Sequence, residues 1–153
     1  MQNLISASLT PEVKQEVLQK LTEIKSELNF LMTLQPQEVQ GLVKVGNNFI
    51  PFLDKAYHAV NSHPEIMPQV FDVEEFKNDY LLSKDLMTIH DQIKQLAESL
   101  EKTMFAVSSD AMTESLEVYT AVKQHRDKVP GLNVVAEEMG QFFKRTRKRE
   151  AGS

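Results

Sequence analysis

From Asp72 to Val107 the chain contains neither Gly nor Pro, and large apolar residues recur at alternating steps of four and three: Leu82, Leu86, Ile89, Ile93, Leu96, Leu100, then Val107. That period brings one side chain back to the same face every turn, which predicts a helix. A second stripe, Phe76, Ala97 and Met104, lies at the next position round. Together the stripes make a face too broad for a two-stranded zipper and suited to a bundle core. The long helix therefore dictates an all-α fold.

Other segments repeat the pattern. Thr10-Pro11-Glu12 offers a capping hydroxyl, a first-turn Pro and an acid at the positive helix end, followed by Val17, Leu21, Ile24, Leu28 and Leu31, so a first helix is expected from about Thr10 to Met32. A second is expected from Pro36 to Asn61, bent or briefly broken by Gly46-Asn47-Asn48 and Pro51. The apolar loop from Ser62 to Phe71 should lie against the bundle end. Asp72 with Glu75 three residues on gives the capping box that opens the long helix. Ser108-Ser109-Asp110 reads as a polar break with a new cap, sending a fourth helix over Ala111 to Lys128. Val129-Pro130-Gly131 interrupts it before a last stretch from Asn133 to Arg147. A reversal at 108–110 would place Phe76 near Phe142. The expected architecture is an up-down four-helix bundle with kinked second and fourth members, the breaks falling near Pro51 and Pro130. At 153 residues and 41% hydrophobic content it is expected to be one domain, 1–153, with flexible ends at 1–9 and 148–153.

Composition removes several classes of chemistry. Without Cys there is no disulfide framework, thiolate metal site or Cys nucleophile. Residues 1–10 lack a basic n-region and an apolar core, and no apolar run is long enough to span a bilayer, so a soluble cytoplasmic protein is expected. The net charge of −5 is unevenly spread, because Lys144, Arg145, Arg147, Lys148 and Arg149 cluster at one end of an otherwise acidic chain. An acidic body lacks the clustered basic surface that phosphate contacts need. Nucleic acid or anionic membrane could be met only through that tail, and intramolecular pairing of Lys144 and Arg145 with Glu75 and Asp79 outweighs such a role.

Each remaining candidate site has a structural reading that outweighs the chemical one. On the expected register His90 and His125 would face each other, which would allow a metal or ligand pair. No Glu stands three residues before any His, however, so the di-iron bundle pattern is missing, and hydrogen-bonded histidines are the commoner outcome. Glu75 and Asp79 on an apolar seam could have perturbed acidities, but seams also reach solvent at bundle ends. The segment Gly41 to Asn48 has phosphate-loop glycine spacing with Asn47-Asn48 in place of Lys-Ser/Thr, and it follows a helix. The seven Met would suit an adaptable groove, though core filling is their usual role.

A set of short segments resembles a family of small helical bacterial proteins to which no activity is assigned. They are Leu9-Thr10-Pro11-Glu12 or Gln35-Pro36-Gln37-Glu38, Lys44-Val45-Gly46, Pro64 and Pro68 ahead of Phe71-Asp72-Val73-Glu74-Glu75-Phe76, and Pro130-Gly131. The resemblance covers most of 36–145, implies a helical bundle and transfers no functional residue. With no catalytic constellation and no cofactor implied, the expectation is a non-enzymatic bundle that binds a protein partner, as a monomer or a weak dimer through Tyr80, Leu81 and Met87. The alternative is a ligand- or metal-binding bundle, an enzyme included, using His90 and His125.

Overall fold

A computed structural model describes residues 3–150, with side chains up to Lys144. Helix is the only regular structure among the described residues: α1 Pro11–Glu27, α2 Pro36–Gln40, α3 Ile50–Ser62, α4 Val73–His125 and α5 Leu132–Glu150. Short 3-10 turns lie at Asn47–Phe49 and Pro64–Ile66. No helix among them is long and apolar enough to cross a membrane. The chain divides into one unit of Met1–Ala7 with Ala97–Ser153 and another of Ser8–Leu96, so α4 contributes to both.

Local chemistry explains each boundary. The Thr10 hydroxyl accepts the Val13 N–H at 3.2 Å and Pro11 occupies the first turn, which fixes the start of α1. α1 ends at Glu27 rather than Met32, because Leu28 leaves the helical region at φ −98° and ψ 50° and residues 28–30 form a turn. The expected second helix is two elements. α2 opens with the Gln35 N–H bonded to the Glu38 carboxylate at 2.6 Å and ends at Gly41, and α3 begins only after an irregular stretch and the 3-10 turn. Pro51 does not kink a helix. It lies in the first turn of α3, where its missing N–H is not needed.

In Ser8–Leu96 the packing centres on α3 against the beginning of α4. Val60 is buried there, Tyr57 stacks on Tyr80 with ring centroids 4.2 Å apart, and Phe71 packs on Phe76 at 5.8 Å. α4 starts where the Asp72 carboxylate accepts the Glu75 N–H at 2.9 Å.

The expected turn at 108–110 is absent, and α4 runs through it as a single helix. Just beyond it the Thr113 and Ser115 hydroxyls donate to carbonyls one turn back, those of Ser109 at 2.9 Å and Ala111 at 2.7 Å. Asp110 caps nothing: its carboxylate accepts the backbone N–H groups of Leu4 and Ile5, at 2.8 and 3.2 Å. The reversal comes instead after His125, where Gly131 takes a positive φ of 85°. Pro130 thus belongs to a connection between helices. In this unit α4 and α5 pack through Ala136, which is buried, and through Tyr119 stacked on Phe143 at 5.4 Å, with the Lys123 ammonium 4.4 Å from the Tyr119 ring. A Cβ at Gly140 would lie 3.0 Å from the Tyr119 hydroxyl, so glycine permits this close approach. The register that paired Phe76 with Phe142 falls with the turn. Phe76 meets Phe71, and Phe142 is 70% exposed.

Candidate functional site

Only Val60 and Ala136 among the described residues are buried apolar side chains, which leaves the seams read in the sequence facing solvent. Within Ser8–Leu96 this produces a groove. α1 presents Ile24 and Leu28, α4 presents Ile89, Ile93 and Leu96, and the open volume between them is about 830 Å³. Ile93 and Leu96 are 47% and 65% exposed, values far from those of core residues. The floor is apolar because both helices repeat large aliphatic residues at helical spacing, and no further described element of Ser8–Leu96 covers them. Lys20, Glu23 and Glu27 from α1 and Thr88 and Gln92 from α4 form the rim. The groove thus joins an aliphatic floor to a rim that carries both signs of charge. No group in the groove is arranged for acid–base or nucleophilic work.

A polar cluster stands apart from the groove, where α3 meets α4. The Tyr80 hydroxyl donates to the Asp54 carboxylate at 2.5 Å, and Lys84 Nζ reaches the same oxygen at 3.1 Å. These two hydrogen bonds hold the Asp54 carboxyl below its ordinary acidity value, while the bond to Asp54 and partial burial push the Tyr80 hydroxyl up to about 12. With Tyr57 stacked on Tyr80, the cluster pins α3 to α4.

The sequence candidates disperse. His90 and His125 both lie on α4, the first in its N-terminal half and the second as its last residue, so no hairpin brings them together. His90 is a solvent-facing neighbour of Asp91 at 3.8 Å, and His125 Nδ1 lies 2.9 Å from the Ala121 carbonyl. Among the described residues no group of three or more His, Asp or Glu could hold a metal ion. Glu75 and Asp79 are exposed, as is Lys144. The side chains of Arg145, Arg147, Lys148 and Arg149 lie outside the described residues. In the surface expected from Tyr80, Leu81 and Met87, Tyr80 is committed to Asp54 and Met87 is half-buried, leaving Leu81 exposed.

Sequence reasoning identified the groove's aliphatic residues as seam positions, yet assigned them to an internal core. It missed the rim and the Asp54–Tyr80–Lys84 cluster. For the cluster the available signal was Tyr80 and Lys84 one turn apart on a helix face, a spacing that can share one carboxylate. No protein-family model matches the chain, and neither a curated protein nor a solved structure is similar to it.

Proposed function

We infer that the chain is a non-enzymatic helical module that works by binding another polypeptide through the α1/α4 groove. The observation that carries this reading is the exposure of Ile93 and Leu96 on the groove floor. Leaving such aliphatic area in water forgoes roughly 25 cal/mol for each Å² that a partner could cover. Supporting it are the mixed-charge rim, which suits a protein surface better than a phosphate backbone, and the acidic balance of the whole chain. On this reading the bundle core is completed between molecules. A photoreactive amino acid placed at Gln92, on the rim, should form a covalent adduct with a polypeptide on irradiation in the native source. The same probe at Glu98, outside the groove lining, should form little. Equal yields from both positions, or none from either, would count against the groove as the binding surface.

A further inference from the structure

Resting on the reading that this groove binds a polypeptide, we propose that its occupant is an amphipathic helix of a partner, with a cationic flank set against the α1 wall. Backbone chemistry selects a helix. The groove lies between two helices whose own N–H and C=O groups are spent on their ladders, and its floor is aliphatic. An extended peptide laid there would press unpaired N–H and C=O groups against carbon, a cost that a sheet edge would remove and this groove does not. A helix arrives with those groups already bonded to one another.

Period and volume agree. The α1 lining runs from Lys20 to Leu28 and the α4 lining from Thr88 to Leu96, so each wall is about 12 Å long, or two helical turns. Over that length one face of a helix presents about four side chains, at i, i+3, i+4 and i+7, whereas a strand facing the floor presents about two. Because roughly 150 Å³ holds a benzene-sized group, a groove of about 830 Å³ takes four large apolar side chains together with part of the helix that carries them. A convex helix face thus fills the space that the two walls leave between them. A small apolar ligand would stay too wet on so open a floor, where Ile93 and Leu96 are about half-exposed.

Charge selects the flank. On the α1 wall Glu23 and Glu27 stand one turn apart, with Lys20 just before them, and none of the three has an ion-pair partner among the described residues. The facing α4 wall carries the neutral Thr88 and Gln92. Ser8–Leu96 as a whole holds 13 acidic residues against 8 basic. The rim is therefore net negative, and its acids lie on one side only. A helix seated on the floor meets Glu23 and Glu27 with Lys or Arg one turn apart on one flank, and needs no charge on the flank facing α4. The same acids disfavour a phosphate backbone.

Two short fluorescent peptides test this, each with leucines along one helical face and differing only on one flank, lysine in the first and glutamate in the second. The expected result is saturable binding of the lysine peptide to the full chain, with a gain in its helical circular dichroism. It should bind about tenfold tighter than the glutamate peptide, by a margin that narrows as salt rises. Glu23→Lys combined with Glu27→Lys should invert the preference. Ile93→Asp should abolish binding of both peptides, whereas mere attraction of a cation to an acidic protein would survive that added negative charge. If either variant loses its helicity, protection of Ile89 and Ile93 from hydroxyl-radical labelling by the lysine peptide, in the unaltered chain, decides. Equal or tighter binding of the glutamate peptide, a preference that the double reversal leaves in place, or lysine-peptide binding that spares Ile89 and Ile93 overturns the cationic helix. Failure of both peptides while the Gln92 probe still forms adducts with a polypeptide overturns it too, yet leaves the binding module standing. Failure of both peptides together with absence of any adduct removes both.

Discussion

At the scale of single residues, two contacts make sharp claims. The Tyr80 hydroxyl donates to Asp54 and carries its proton up to about 12. A raised folded-state value favours the protonated, folded form. The stability it lends is complete below the ordinary tyrosine value near 10 and disappears as pH rises through about 12. Ultraviolet titration should thus show one of the three tyrosines ionising late, and Tyr80→Phe should remove that late step. Ionisation of all three together near 10 would contradict the bond. Asp54 works in the opposite sense: its lowered acidity value means stability gained above about 4, the unfolded value, and lost as pH falls through the folded one. Asp110 makes the second claim. Its carboxylate holds the Leu4 and Ile5 amides, and a hydrogen bond to a charged group is worth about 1.5–3 kcal/mol at most, so Asp110→Ala should speed hydrogen exchange there by about tenfold or more. Unchanged exchange at those two amides would refute the clamp.

At the scale of elements, the continuity of α4 separates what could be read from what could not. The start of the helix was legible because Asp72 and the acids after it form a local cap, and local caps depend only on neighbours in sequence. The middle was misread because Ser108, Ser109 and Asp110 have side chains that serve either a break or a helix. The absence of Gly and Pro as far as Val129 was the available signal for a continuous helix. The aliphatic residues of the groove were legible as seam positions for the same periodic reason. Their exposure was not, since it depends on which elements come back to cover them. The Asp54–Tyr80 pair was equally hidden, as it rests on the path of the chain between α3 and α4 and not on any fixed spacing. Ser109→Pro distinguishes the two readings of the middle. Inside a helix it should cost about 3 kcal/mol or more and depress helicity, measured by denaturant melts and circular dichroism. A loss below about 0.5 kcal/mol, typical of a surface substitution, would favour a turn at that point.

At the scale of the whole molecule, the aliphatic faces of α1 and α4 within Ser8–Leu96 stand open. Each unit has one buried apolar residue among those described, Val60 in one and Ala136 in the other, and the aromatic stacks around them hold the helices in place. The folding of a soluble domain ordinarily draws on a much larger dry core. On the proposed reading a bound polypeptide supplies that energy, so stability should rise with partner concentration, as mass action requires when only the folded form binds. A melting temperature independent of partner concentration would count against it. The most direct measurement is hydroxyl-radical footprinting of Ile89, Ile93 and Leu96 in the dilute chain alone and with a bound polypeptide. Strong labelling is expected of the chain alone, where the groove is open, and protection when a polypeptide covers it. Protection of all three in a dilute single chain would mean that the chain covers its own groove, and the central claim would fail.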